Sequence, residues 1–238
     1  MLNFGDPRSK LFFEFVRLLD ELRPDYFLLE NVKMKKEWEE VITSYLGVKP
    51  IKINSSLVSA QSRERVYWTN IVSPSEFIQP EDKKIFLKDI TEKNLTDVEI
   101  SNLMPYKGIS KNNPYTFVPV DSHFSKNGLI CLGGLTSDNK KLWVDDGKYL
   151  QRSFSQGYRV YSDEGKAPTL SANSGGLGGK TGLYRIGGII RKLTVTECER
   201  LQTMPDGYTR KASRTQAIEM LGNGWTADVV AHIFKYLK

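Results

Sequence analysis

The first 72 residues alternate between helical and extended patterns, and this alternation limits the architectures open to the chain more than any other feature. Asp6-Pro7 reads as an N-cap followed by proline at the first helical position. Leu11, Phe12, Phe15, Leu18, Leu19 and Leu22 then recur at helical spacing until Pro24. Tyr26 to Leu29 is too short for anything but a strand, and the run FLLENVKMKKEW turns abruptly from apolar to charged at Glu30-Asn31. A second helix is predicted over Trp38 to Leu46, with Gly47 just past its end. Strands follow around Ile51 to Ile53 and Val66 to Val72. Helix–strand–helix–strand order predicts a parallel sheet with helices on its faces, here only half a sheet.

From about Ser73 to Gly188 the chain is rich in Gly, Asn, Asp, Ser and Pro, with short β-like runs at Gly128–Leu132 and Tyr158–Tyr161. This reads as a separate, irregular, mostly β region. Beyond it, Thr194-x-x-Glu197 and Ser213-x-x-Gln216 are capping boxes, each opening a short helix, the second ending at Gly222. A last amphipathic helix is predicted over Ala227 to Leu237, with Val229, Val230, Ile233, Phe234 and Leu237 on one face.

Composition excludes several classes. The chain has 238 residues, 39% of them hydrophobic, enough for a sizeable core in one large domain or one and a half. The net charge of +6 is compatible with a polyanionic partner without requiring one. Two cysteines, Cys131 and Cys198, stand far apart and outside any CxxC pattern, which argues against a disulfide scaffold or a zinc site and for a reducing cytoplasm. No signal-peptide pattern opens the chain, and no apolar run reaches the roughly 18 residues needed to span a bilayer.

Individual motifs are ambiguous. Glu30 falls at the carboxyl end of an apolar strand, where open α/β sheets bind ligands, yet a solvated loop acid also fits. Gln61, Arg63 and Arg65 alternate, so on one strand they would share a face. Gly179-Lys180-Thr181 lacks both the earlier glycine and the following helix of a phosphate loop, because Ser174 stands where that glycine belongs. Small residues and one lysine in that segment suit close approach to a nucleic-acid groove. Met220 to Trp225 reads as a helix end with a glycine turn.

Their order carries more than any one of them. Glu-Asn-Val, then Gln-x-Arg-x-Arg, a variable region, Arg-x-Leu-Thr-x-x-Glu-x-x-Arg-Leu-Gln, and Gly-Asn before an amphipathic helix resemble the DNA (cytosine-5)-methyltransferases over nearly the whole chain. The resemblance implies a partial Rossmann-like α/β sheet with helices on its faces, plus a smaller irregular mostly-β target-recognition domain. Residues 1–72 would be the second half of the catalytic domain, 73–190 the target-recognition domain, 191–210 its supporting helix, and 211–238 a return to the catalytic domain. It implies transfer of a methyl group from S-adenosylmethionine to C5 of a cytosine flipped out of double-stranded DNA. In that chemistry a cysteine thiolate adds to C6 and makes C5 nucleophilic. Glu30 would meet N3 and the exocyclic amine, which requires burial to raise its pKa. Arg65 would contact the ring O2, Arg63 brace neighbouring backbone, and Asn31 hold the nucleophile's loop. Thr169 would touch the DNA backbone, and the loop through Asn173, Ser174, Gly175, Gly176 and Lys180 would lie against the groove. Asn223, Gly224 and Trp225 would pack near the methionine end of the cofactor. No metal is implied.

The sequence departs from the family pattern at its front. Neither the Phe-x-Gly-x-Gly cofactor loop nor a Pro-Cys nucleophile motif occurs, and Cys131 and Cys198 sit in contexts that read as structural. The expectation is an enzyme incomplete as this chain, with weak or absent cofactor binding of its own. A complementing chain or segment carrying those motifs would restore it. A truncated product and a catalytically dead DNA-binding or regulatory relative stand as alternatives. With no signal peptide, the expected location is a cytoplasm of bacterial or phage type, with no membrane partner.

Overall fold

The computed structural model describes residues 10–105, 115–126, 128–136, 156–172 and 175–238. The expected cap at Asp6-Pro7 lies outside them. So do Asn173 and Ser174.

Close contacts divide the chain into two compact units, residues 1–54, 64–80 and 229–238 in the first, 55–63 and 81–228 in the second. This division does not follow continuous stretches of sequence. Residues 55–63 and 211–228 pack within the second unit, so only the last ten residues of the chain return to the first.

The first unit holds helix α1 (Lys10–Leu22), strand β1 (Leu28–Val32), helix α2 (Lys36–Leu46) and strand β2 (Ile51–Asn54). It also holds β4 (Glu64–Thr69), which follows the two-residue β3 (Gln61–Ser62) of the second unit. Helix α2 ends in a left-handed Gly47 at φ 68°, whose N–H donates to the Thr43 carbonyl. The sheet order is β1-β4-β2, with β4 antiparallel to both neighbours. The expected parallel pairing is therefore corrected: β1 and β2 share a direction but do not touch. The cause is connection length. A parallel neighbour needs a crossover of a dozen residues or more, which α2 provides between β1 and β2. Residues 55–63 are too few for one, so the chain doubles back into β4. Val66 and Trp68 on β4 are buried with Ile42 of α2, and Phe12, Leu29, Met34, Leu46 and Val48 pack around them.

The predicted single strand through Gln61, Arg63 and Arg65 is also corrected. It breaks at Arg63, and its two parts belong to different units. Strand β1 runs three residues further than expected, so Glu30 sits inside the strand rather than past its end.

The second unit begins with two short helices, α3 (Leu87–Ile90) and α4 (Asp97–Leu103). Strands β5 (Thr116–Lys126), β6 (Leu129–Thr136), β7 (Arg159–Ser162), β9 (Leu183–Ile186) and β10 (Ile189–Arg191) form a five-stranded sheet in the order β10-β9-β7-β6-β5. Only the β7–β9 pair in it is parallel. Strand β8 (Ala167–Pro168) pairs separately with β3, in parallel. Helices α5 (Val195–Leu201) and α6 (Arg214–Asn223) follow, each opened by its predicted capping box. Their core joins Leu170, Tyr184, Leu193, Cys198, Leu201, Ile218 and Leu221. Helix α7 (Ala227–Phe234) closes the chain. Val229, Val230 and Ile233 are buried as predicted, but Phe234, the last helical residue, and Leu237, beyond the helix end, are exposed.

Candidate active site

Strand register determines the first group of site residues. In the β1–β4 pair Glu30 stands opposite Tyr67, and Arg65 opposite Val32. Glu30 and Arg65 are thus diagonal neighbours on one face of the sheet, within reach of long side chains. Arg65 Nε lies 2.9 Å from Glu30 Oε1, with the two side chains only 12% and 15% exposed. The contact is an ion pair rather than an aligned hydrogen bond, since Arg65 Nε–H has no acceptor in line. Arg65 Nη1 donates to the Glu64 carbonyl at 2.8 Å. Burial lowers the Arg65 pKa, and the charge of Glu30 opposes that shift. Asn31 turns its amide oxygen onto the Val32 N–H at 2.8 Å, steadying the end of β1.

Arg63 belongs to a different set of contacts. It is 3% exposed and donates from Nη1 to the Leu170 carbonyl at 3.2 Å. Its Nη2 donates to the carbonyls of Gly222 at 3.1 Å and Gly224 at 2.9 Å. Gln61, two residues earlier, is fully buried. Its amide oxygen accepts from Leu170 N–H at 2.7 Å, and its nitrogen donates to the Leu201 carbonyl at 3.3 Å. The Thr169 hydroxyl donates to the Ser62 carbonyl at 2.9 Å. The segment from Ala167 to Leu170 is therefore anchored to residues 61–63 by strand pairing and by side chains alike.

In the glycine-rich segment, Lys180 Nζ is 2.9 Å from Glu219 Oε2 on α6. The lysine expected to face a groove is thus already paired. No local pattern could have revealed Glu219, which lies 39 residues away and is brought close by the packing of α6. Gly175 and Gly176 approach Gly157 closely: a Cβ on Gly157 would fall 2.1 Å from the Gly175 carbonyl oxygen. Strand β9 follows this segment, not the helix that a phosphate loop requires.

Asn223 ends α6, and Gly224 follows it in an extended conformation with φ −77°. Its N–H still closes the helix onto the Met220 carbonyl at 2.8 Å. Asn223 is exposed and Trp225 is 42% exposed. An amide and an indole face at that exposure fit one wall of a cofactor site. They do not enclose a ligand, which a small-molecule pocket does over most of its surface.

Both thiols are buried. Burial raises the Cys131 pKa, and it pushes Cys198 far above the ordinary thiol range. Neither is poised as a nucleophile, because the attacking species is the thiolate. Among the described residues no cluster of His, Cys, Asp and Glu could hold a metal, and no helix is long and apolar enough to cross a membrane.

A three-stranded sheet with helices, joined in sequence to a unit with a five-stranded sheet, is an α/β fold shared with solved methyltransferases. The Entamoeba histolytica methyltransferase EhMeth shares it, with a TM-score of 0.61 at 15% identity, over 98% of this chain and 69% of that one. The chain belongs to the C-5 cytosine-specific DNA methylase family, whose model matches residues 1–238. It is 28% identical to the type II methyltransferase M.HhaI of Haemophilus parahaemolyticus over 254 aligned residues. That alignment takes in 97% of this chain and 68% of M.HhaI. It is likewise 28% identical to M.FnuDI of Fusobacterium nucleatum, covering 98% of this chain and 70% of that protein. Enzymes of this family depend on S-adenosylmethionine.

Proposed function

We propose that residues 1–238 form the base-recognising and DNA-holding part of a cytosine-5 methyltransferase acting on duplex DNA. The observation that carries this reading is the 2.9 Å pairing of Arg65 with Glu30 on one sheet face. An acid and a guanidinium side by side suit a ligand with adjacent donor and acceptor atoms, and the N3, exocyclic amine and O2 edge of cytosine is such a ligand. Glu30 accepts from the amine and shares a proton at N3, which limits charge build-up on the ring. Arg65 meets O2. When cytosine enters, part of the ion pair is exchanged for these contacts, so the two charges remain compensated.

Extruding the base costs on the order of a few kcal/mol, offset by contacts to phosphates and main chain. Thr169, Gly175, Gly176 and Lys180 are assigned to that holding role, together with Asn173 and Ser174. Asn31 supports the loop of the nucleophile. Asn223, Gly224 and Trp225 supply one wall for S-adenosylmethionine, whose sulfonium provides the methyl group when bound. Residues 1–72 act as catalytic-domain sequence, 73–190 as target-recognition domain and 191–210 as its support; 211–238 is the return segment, its last ten residues completing the return.

The thiol comes from outside residues 1–238, in the same polypeptide or a separate chain, because Cys131 and Cys198 are buried and held as thiols. The test is a methyl-transfer assay on duplex DNA, with this chain alone and with a segment bearing Phe-x-Gly-x-Gly and Pro-Cys. Transfer by the mixture and none by the chain alone is the expected result. A mixture that assembles yet stays inert counts against the reading and favours a DNA-binding relative without catalysis.

A further inference from the structure

Helix α6 is tied to the DNA-facing segment at three independent points, all within the second unit. Arg63 bridges the Leu170 carbonyl to those of Gly222 and Gly224, at the carboxyl end of the helix. Lys180 pairs with Glu219 one turn earlier. Between them the helix backbone lies directly on the other segment: a Cβ on Gly222 would fall 2.8 Å from Ala172 N and 3.0 Å from Ser171 C. Such a contact leaves no slack, since two backbones are in touch without an intervening side chain. Further bonds stiffen the same body. Gln202 donates to the Leu221 carbonyl at 2.5 Å and accepts from Thr226 at 2.9 Å.

We infer that Arg63 is a positioning residue that couples DNA contact at Thr169 and Lys180 to the setting of the cofactor-side turn Asn223–Trp225. The inference rests on the functional reading above, which assigns those two segments their ligands. Its physical basis is that a displacement of Leu170 is passed through one planar guanidinium to Gly222 and Gly224. A guanidinium presents several donors in a fixed geometry and so transmits direction as well as distance; an ammonium on a flexible stem does not. The closely packed Gly222 contact makes the body move as a unit rather than deform. Coupling of this kind is expected to make bound DNA favour one setting of the cofactor wall.

The experiment uses this chain with its four tryptophans replaced by 5-fluorotryptophan. The Trp225 resonance is assigned with Trp225→Phe and followed by fluorine NMR while a cytosine-rich 20-base-pair duplex is added. Binding is measured in parallel by fluorescence anisotropy. In the wild type the Trp225 signal is expected to shift in step with saturation. In Arg63→Lys the duplex still binds, but the shift falls below half its wild-type size, while Arg63→Met abolishes it. A full Trp225 shift in Arg63→Lys at saturating duplex overturns the coupling. Should both Arg63 variants fail to fold by circular dichroism, the half-exposed Glu219→Gln keeps the question open to measurement, since it removes one tie and must reduce the shift. A wild-type Trp225 signal that stays in place at saturation overturns the proposal without any variant. A duplex that does not bind at all removes the functional reading, and the coupling falls with it.

Discussion

Glu30 and Arg65 reach each other across a single strand pairing, diagonal in register and 2.9 Å apart, though 35 positions separate them in the sequence. Two opposite charges that are each only about one-eighth exposed cannot be separated cheaply, so either partner's loss has a measurable signature.

Glu30→Gln, in an enzyme completed with the thiol-bearing segment, is expected to lower turnover by roughly 10²–10⁴-fold, the range of a lost acid–base group. DNA affinity should stay within the same order of magnitude. Initial rates and anisotropy titrations check this. Equal losses in both would reduce Glu30 to a structural role.

Arg65→Met is expected to destabilise the chain by about 2–3 kcal/mol, somewhat below the value for a fully buried pair because some solvent reaches it. Pairing it with Glu30→Gln should recover part of that loss, since the second change removes the uncompensated carboxylate. Urea melts of the two single variants and the double variant measure the interaction. Strict additivity would mean that the pair does not interact in solution.

Glu219→Gln frees Lys180 from its present partner. DNA binding is expected to strengthen across sequences, because the lysine no longer exchanges a carboxylate for a phosphate. Lys180→Ala should weaken binding across sequences and lower the salt slope by about one counterion. Binding isotherms at several salt concentrations check both, and an unchanged slope in Lys180→Ala would reject the phosphate contact.

Stability at alkaline pH should fall, and Cys198 should contribute to that fall. Its thiol has a folded-state pKa raised far above the ordinary 9.0, chiefly through burial. The neutral thiol is thus favoured in the folded state, and this contribution is fully present below about pH 9. As pH rises beyond that value the unfolded chain ionises first and gains relative stability. Tyr184, also raised by burial, acts in the same direction above its ordinary 10.0. Melts from pH 7 to 10.5 should show a shallower decline for Cys198→Ala than for the wild type. The same variant in the completed enzyme should retain methyl transfer; loss of the chemistry without loss of fold would mean that Cys198 is the nucleophile after all.

Leu11 and Leu22 on α1 are 70% and 72% exposed, and β1 is an edge strand among the described residues. An exposed apolar helix face and an unpaired strand edge each favour association. Sedimentation of the isolated chain is expected to show self-association that the complementing segment suppresses. A well-behaved monomer at high concentration would contradict this.

Local periodicity determined much of the first unit and both capped helices. Leu11, Phe12, Phe15 and their repeats define α1, while Thr194–Glu197 and Ser213–Gln216 form the boxes that open α5 and α6. These features depend on residues within one or two turns of each other, and such patterns survive in a linear string. The order of Glu30, the arginines at 63 and 65, and Asn223 was enough to suggest the family. Only the tertiary structure decided that Arg63 and Arg65 serve different units, that β4 runs against its neighbours, and that Lys180 is held by Glu219. Each of those outcomes depends on which distant segment meets a given side chain. A charge or a carbonyl finds its partner through packing in space, and no spacing along the chain encodes that.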